Sequence, residues 1–272
     1  MKVFKEEFNK LLFLLKQGIP FSFSRFSDGE VTILRNRKLV LGDGFFVQGD
    51  IHGDAPYHVP PNTYPEEERK NFDPSKDWFF NKKLTEAFVY RKQNYFKGIP
   101  PQNGGHDKDS SWRFCVDLYG EGDEEHLSFS NVMINDNYRF FIKEMLPLFA
   151  EKQIVLVSNE NSKLDDLPFK VQKHFPVGPN CMKNDYYLID ACKDWIKEKN
   201  IKNHLFLFAV SSLSNLLCHE LYKDFDNNQY MDIGSSLGPL LKLEGWQGTR
   251  TYLKLFWSNP HNPPPQDVDV WN

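Results

Sequence analysis

The sequence predicts an α/β fold, Rossmann-like, in which a mostly parallel sheet carries helices on both faces. Two continuous apolar runs, at 153–158 and 204–210, indicate strands that are buried on both sides. The apolar spacing of residues 186–199 predicts a helix between them. Strands that alternate with helices in this way are typical of a parallel sheet covered on both faces.

The first elements follow from apolar spacing. Apolar side chains recur every three or four positions over residues 4–17, and Gly and Pro follow, so an amphipathic helix is predicted there. Residues 20–26 alternate apolar and polar side chains and predict a short strand. A helix is predicted over 30–37.

The middle of the chain is predicted to contain a long loop excursion. Residues 42–77 are dense in Gly, Pro, Asp and His, and a loop of this length is typical of a lid or a cover over a site. Helices are predicted over 82–97 and 132–149, with a polar loop at 102–111.

The C-terminal half continues the alternation of strands and helices. A short element is predicted over 167–175, a helix over 211–222 and a third buried strand over 230–234. We expect residues 1–258 to form one domain, and the Pro-rich tail 259–272 to lie extended over its surface.

The composition excludes several functional classes. The 272 residues include 33 Lys and Arg against 37 Asp and Glu, so no overall positive charge favours nucleic acid, and no dense basic patch replaces it. The apolar runs are far shorter than the roughly 20 residues of a membrane span. The N-terminus has no secretory signal pattern, so a cytoplasmic protein is expected.

Several common chemistries lack their usual motifs. The 4 cysteines contain no Cys-x-x-Cys pair, so they are predicted to be plain thiols. The sequence has no Gly-x-x-x-x-Gly-Lys loop and no dinucleotide glycine motif in strand-to-helix context. Nucleotide hydrolysis by a P-loop and hydride transfer are therefore not favoured.

The string Ser-Arg-Phe-Ser-Asp-Gly-Glu at 24–30 is the strongest candidate site. Asp28 and Glu30 stand two residues apart at a predicted strand end, where they can converge on a hard cation such as Mg²⁺ or Mn²⁺. Arg25 can pair with a phosphate or orient a carboxylate. The alternative from the residues alone is that both carboxylates cap the following helix.

This string resembles the opening Arg-x-Gly-Asp-Gly-Glu motif of the GT-D glycosyltransferases, a family first known as a domain of unknown function. Weaker similarities follow in the same order over roughly residues 20–240. They lie at 79–101, 153–160, 177–181, 208–221 and 231–234. Three departures stand out: Ser27 and Ser211 replace Gly, and Ser235 replaces a common His.

The resemblance implies a metal-dependent glycosyltransferase that moves a hexose or pentose from a nucleotide-diphosphate sugar, with UDP favoured, to a glycan or glycoconjugate. It implies Mn²⁺ or Mg²⁺ as the cofactor, held by Asp28 and Glu30. The expected donor-binding residues are Ser24, Arg25, Asn159, Ser211 and Ser212. The helix start after 210 offers free N–H groups and hydroxyls to an anion. Glu160 and Asp232, at predicted strand ends, are both candidates for the acid or base.

Two other functions remain open at this point. The string Gly-Asp-Ile-His-Gly at 49–53 resembles the first metal-binding string of metallophosphoesterases, although the downstream strings of that family do not occur. A non-catalytic domain that binds sugar or a partner protein is the other alternative.

Aromatic residues are a further candidate feature, because the chain contains 24 Phe and is 15% aromatic. Those in or beside the long loop are predicted to stack on acceptor sugar. They are Phe45, Phe46, Tyr57, Tyr64 and Trp78.

Overall fold

A seven-stranded parallel sheet is the central element of the structure, a computed structural model that describes residues 2–50, 53–102, 108–120, 124–259 and 270–271. The strands are β1 (Lys2–Val3), β2 (Phe21–Arg25), β3 (Leu39–Gly42), β4 (Phe45–Gln48), β5 (Gly53–His58), β6 (Lys70–Phe72), β7 (Tyr95–Ile99), β8 (Leu127–Phe129), β9 (Ile154–Asn159), β10 (Val171–Val177), β11 (Leu205–Phe208), β12 (Gln229–Asp232) and β13 (Val270–Trp271). The helices are α1 (Phe4–Gln17), α2 (Asp28–Leu34), α3 (Trp78–Val89), α4 (Lys108–Tyr119), α5 (Tyr138–Phe140), α6 (Cys181–Asn184), α7 (Leu188–Lys199), α8 (Leu213–Asp224), α9 (Gly245–Thr249) and α10 (Thr251–Ser258).

The strand order of the parallel sheet is β10-β9-β11-β12-β2-β7-β8, and every neighbouring pair is parallel. Each residue of β2, β7, β9, β11 and β12 is buried. Burial of successive residues means that both faces of the sheet are covered, because successive side chains point to opposite faces. The predicted Rossmann-like fold with flanking helices is confirmed.

The prediction of a long loop over 42–77 is wrong. Strands β3 to β6 form a separate four-stranded antiparallel sheet of order β5-β4-β3-β6, which we call the inserted sheet. Its strands are short, and every residue of β5 is exposed. Strands β5 and β6 carry no continuous apolar run, so their sequence is similar to that of a loop.

The predicted helix over 82–97 is also wrong in its second half. Helix α3 ends at Val89, and a turn with Asn94 at φ 59° leads into β7. The apolar run of β7 is interrupted by Lys97, which is nevertheless fully buried and donates to the backbone oxygen of Tyr90 and to the Tyr119 hydroxyl. Because Lys97 interrupts the apolar run, the hydropathy of this segment does not indicate a buried strand.

Other predicted elements shift by a few residues or divide. The short element at 167–175 is β10, and the helix at 132–149 is a series of short turns of differing pitch between residues 135 and 151. The tail at 260–269 lies outside the described residues, and β13 beyond it pairs antiparallel with β1. The division of the chain at residue 258 stays a prediction.

All four cysteines, Cys115, Cys181, Cys192 and Cys218, are buried and free, as predicted. Burial raises the pKa of the Cys181 thiol, and of the Cys192 thiol, to about 12. Among the described residues, no helix combines the length and the hydropathy that crossing a bilayer requires.

Candidate functional site

A cavity of about 920 Å³ opens at the carboxyl ends of β2 and β12. In the sheet, β2 is followed by β7 and β8 on one side, and β12 lies on its other side, next to β11. The strand order therefore reverses between β2 and β12, which is the topological switch point of the sheet. Open α/β sheets bind their ligands at such a point, and this volume is typical of small-molecule sites. The lining includes Arg25, Asp28, Glu30, Lys70, Asn159, Ser211, Ser212, Asp232, Trp246 and Arg250.

The Asp232 carboxyl lies at the end of β12, and the residue is only 4% exposed. Its oxygens accept the backbone N–H groups of Arg25 at 3.1 Å and Gly234 at 3.0 Å. Burial raises the pKa of Asp232 to about 7, with the Arg25 guanidinium opposing this rise and the Glu30 carboxylate adding to it. Near neutral pH, this carboxyl therefore exists in both protonation states.

The Arg25 guanidinium crosses from β2 to the loop after β12. Its Nε donates to the Ser130 backbone oxygen at 2.6 Å, and Nη2 donates to Ser27 Oγ at 3.2 Å. Its Nη1 lies 4.0 Å from Asp232 Oδ1. Gly234 makes room for it: φ is +52°, and a Cβ at this position would lie 1.8 Å from Nη1. The glycine after Asp-Ile is thus required both by the backbone and by the arginine.

The Glu30 carboxylate has two donors inside the protein. Oε2 accepts the Ser27 N–H at 3.1 Å, completing the capping box of α2. Oε1 accepts the Ser212 hydroxyl at 2.6 Å, which joins α2 to the start of α8. Glu30 therefore caps a helix, as the alternative interpretation predicted, and also lines the cavity.

Asp28 is the exposed member of the carboxylate pair and lines the same cavity. Within the described ranges, no three His, Cys, Asp or Glu side chains are grouped so as to hold a metal ion. Magnesium-type ions at nucleotide sites commonly use one or two carboxylates and take their other ligands from phosphates and water. The oxygen-only pair Asp28 and Glu30 fits an ion of that kind.

The remaining predicted site residues divide between the cavity and its supports. Asn159 lines the cavity, and its Oδ1 accepts the Asn161 N–H at 2.8 Å. Ser24 is buried behind the cavity wall, where its Oγ accepts Asn215 Nδ2 at 3.0 Å. Glu160 is exposed and is not part of the lining formed by the described residues.

Two cationic side chains and a tyrosine from distant parts of the chain complete the cavity, and sequence reasoning missed them: Lys70, Arg250 and Tyr252. Lys70 of β6 donates through Nζ to Ser211 Oγ at 2.9 Å. Arg250, just before α10, donates through Nε to Ser235 Oγ at 3.3 Å, and the Tyr252 hydroxyl lies 2.9 Å from the same oxygen. Their local sequence carries no motif, so only the folded chain reveals them.

The aromatic residues predicted to stack on sugar lie elsewhere. Phe46 packs against Tyr57 at 5.0 Å between ring centroids, and Trp78 is 62% exposed at the start of α3. None of the five predicted rings is part of the cavity lining formed by the described residues. Among the described residues, the aromatic side chains that line it are Phe72, Trp246 and Tyr252.

Asp50 of the phosphoesterase-like string has a structural role. Its carboxylate accepts Arg35 Nη1 at 3.1 Å and lies 2.6 Å from Thr32 Oγ1. The side chain is 4% exposed and does not line the cavity. His52 of the same string lies outside the described residues.

A parallel sheet with a polar cavity at its switch point is the arrangement in which proteins of the α/β class bind their ligands. Three solved structures are similar to the chain. One, described as "The highly conserved domain of unknown function 1792 has a distinct glycosyltransferase fold", superposes at a TM-score of 0.51 with 14% identity, over 84% of this chain and 76% of that one. A selenomethionine-substituted structure of domain of unknown function 1792 gives 0.52 and 15%, over 84% and 77%. A glycosyltransferase (DUF1792) from Streptococcus sanguinis gives 0.47 and 16%, over 84% and 80%.

No protein-family model matches the chain, and no curated protein matches its sequence. At these identities, the likeness concerns the fold. The chain has the DUF1792, or GT-D, glycosyltransferase fold, which confirms the fold expected from the string at 24–30.

Proposed function

We propose that the chain is a glycosyltransferase that moves a hexose or pentose from a nucleotide-diphosphate sugar, with UDP favoured, to a glycan or glycoconjugate acceptor. The observation that carries this proposal is the buried Asp232 carboxyl beside the Arg25 guanidinium, at the floor of a polar cavity in a glycosyltransferase fold. Sugar transfer needs a base for the acceptor hydroxyl and positive charge for the departing diphosphate, and this arrangement offers both.

Asp232 is the better of the two candidate bases. It lines the cavity, and its pKa of about 7 lets it accept a proton at neutral pH. Glu160 is exposed and lies off the lining. In the proposed reaction, Asp232 takes the proton of the acceptor hydroxyl as that oxygen bonds to the anomeric carbon and the bond from this carbon to the diphosphate breaks.

The remaining residues hold the donor. Arg25 is fixed through Ser130 and Ser27, so its guanidinium is oriented before the diphosphate arrives. Asp28 and Glu30 would hold Mn²⁺ or Mg²⁺, which supplies positive charge to the departing diphosphate. Asn159, at the end of β9, is proposed to contact the nucleotide or the donor sugar.

A binding screen tests the donor and the metal. We expect UDP or a UDP-sugar to raise the melting temperature more with Mn²⁺ than without it, since a ligand bound to the native state stabilises it. The double variant Asp28→Asn, Glu30→Gln should lose the part that depends on Mn²⁺. Equal shifts in parent and variant would contradict the metal site, and a panel of UDP, GDP, CDP and ADP sugars without any shift would instead favour a non-catalytic domain.

Activity tests the base. Asp232→Asn should slow sugar transfer, or donor hydrolysis when water is the acceptor, about 10²- to 10⁴-fold, the usual contribution of a general base. Asp190→Asn, at an exposed position of α7, is the matched control and should leave the rate unchanged. Nucleotide release measured for the three proteins decides the matter, because an Asp232→Asn rate within a factor of two of the parent would exclude this role.

A further inference from the structure

Lys70 reaches from the inserted sheet to the parallel sheet. It lies in β6, and its Nζ donates to Ser211 Oγ, at the start of α8, over 2.9 Å. The Lys70 Nζ also lies close to the backbone of α2: a Cβ built on Gly29 would lie 3.1 Å from it. The glycine between Asp28 and Glu30 therefore leaves space for this ammonium group.

The charge of Lys70 is not matched by a nearby carboxylate. Within the described ranges, no Asp or Glu oxygen lies within 4.0 Å of Nζ. The other cations beside the cavity differ in this respect: Arg69 lies 3.4 Å from Asp43, and Arg250 lies 3.9 Å from Glu68. Lys70 thus presents a positive charge to a cavity that it lines.

The two serines at the start of α8 have different partners. Ser212 donates to Glu30, whereas Ser211 accepts from Lys70 and keeps its own hydroxyl hydrogen to donate. Ser211 also has φ +48°, a left-handed conformation that is unusual for a residue other than glycine. Together, the ammonium and the hydroxyl form a set of donors, which suits a ligand with several anionic oxygens.

We propose that Lys70 and Ser211 bind the diphosphate of a nucleoside diphosphate. The inference rests on the proposed function and extends it, because it makes the inserted sheet a part of the donor site. The lysine reaches the site from a segment more than a hundred residues away from Ser211 in sequence, so donor binding bridges the two sheets. A diphosphate suits the site better than a single carboxylate, since Arg25 and Lys70 both line the same cavity.

The test is calorimetry with four ligands: the nucleoside diphosphate that binds best in a panel of UDP, GDP, CDP and ADP, its monophosphate, its nucleoside, and inorganic pyrophosphate. Lys70→Met should weaken binding of the diphosphate and of pyrophosphate about 10- to 100-fold, the value of a hydrogen bond to a charged group. Nucleoside binding should not change. Lys70→Arg should recover part of the affinity, and Ser211→Ala should lose a few-fold.

Lys76→Met is the matched control, because Lys76 is 80% exposed and lies 4.0 Å from Asp73. It should bind every ligand as the parent does. Melting curves of each variant check that it is folded, and Lys70→Arg keeps the test valid if Lys70→Met unfolds.

The outcomes separate the two proposals. Diphosphate affinity that is equal in Lys70→Met and the parent overturns the role of Lys70 and leaves the glycosyltransferase proposal intact. If the parent binds pyrophosphate through Lys70 but no nucleotide, the proposed donor is wrong and the anion site stands. A parent that binds neither overturns both.

Discussion

The two sheets of this molecule are stabilised in different ways. The strands of the parallel sheet are apolar and buried, so the hydrophobic effect dominates their stability. The inserted sheet buries fewer of its residues: Leu39 and Phe72 belong to the hydrophobic core, whereas every residue of β5 is exposed. Polar contacts also attach the segment before β6 to the rest of the chain: the Asn180 N–H donates to the Arg69 backbone oxygen at 2.9 Å, and the Gly245 N–H donates to Glu67 Oε1 at 3.1 Å. The parallel sheet places the buried Asp232 carboxyl at the cavity, and the inserted sheet brings Lys70 and Phe72 to the same cavity.

The pH dependence of stability is expected to sharpen this contrast, because the buried titrating carboxyl belongs to the parallel sheet. The pKa of Asp232 is raised from 3.8 to about 7, so its contribution to folding is complete below about pH 4 and is lost as the pH rises through 7. The free energy of unfolding of the parent should fall relative to Asp232→Asn over this range, by on the order of 4 kcal/mol. Urea unfolding at each pH measures it, and parallel curves would show that the carboxyl is not perturbed.

Gly234→Ala tests how rigidly the parallel sheet fixes Arg25. Alanine must adopt φ +52°, and its Cβ would meet Arg25 Nη1. We expect about 2–4 kcal/mol of destabilisation from backbone strain and overpacking. Gly53→Ala in the inserted sheet is the control, with φ +72° but open space around its Cβ, so it should lose only the strain component. Equal losses of unfolding free energy would mean that Arg25 simply moves aside.

Asp50→Asn tests the polar attachment next to the inserted sheet. The change removes a buried ion pair with Arg35, so stability should fall by about 1–3 kcal/mol while nucleotide binding is unchanged. The parent should not hydrolyse p-nitrophenyl phosphate. Hydrolysis that disappears in Asp50→Asn would instead support the metallophosphoesterase alternative.

Aromatic substitutions give the smallest expected effects and compare a cavity ring with a surface ring. Trp246→Ala should raise the acceptor KM a few-fold, as expected from about 0.5–1.5 kcal/mol of stacking. Tyr57→Ala, at a 54% exposed ring outside the lining, should change neither KM nor kcat. Steady-state kinetics with a set of acceptor sugars measures both effects. A raised KM in Tyr57→Ala with no change in Trp246→Ala would instead place the acceptor site at the inserted sheet.

Most of the parallel sheet could be predicted from the sequence, because burial on both faces leaves continuous apolar runs. The helix predicted over 4–17 has the observed bounds, and β9, β11 and β12 lie within a few residues of their predictions. The inserted sheet could not be predicted, since each of its strands faces solvent in part. Strand β7 was missed because the buried Lys97 interrupts its apolar pattern.

The candidate site was predictable where local sequence carries the chemistry. Arg25, Asp28 and Glu30 share one string, and Asp232 ends a buried strand, so their positions at strand ends predict that they lie close together. Lys70 and Arg250 have no such marker, because they reach the cavity only through the inserted sheet and the helices after residue 244. Glu160 illustrates the limit of the same reasoning: it follows a strand end, yet it is exposed outside the lining.

The four buried thiols can report local opening of the structure. A thiol that is buried and has a raised pKa reacts with a labelling reagent only while the structure around it is open. Cys181 lies on the cavity wall, where its Sγ donates to the Val210 backbone oxygen, whereas Cys218 lies beneath β2. Their labelling rates therefore separate opening of the cavity from unfolding of the core, without any engineered probe.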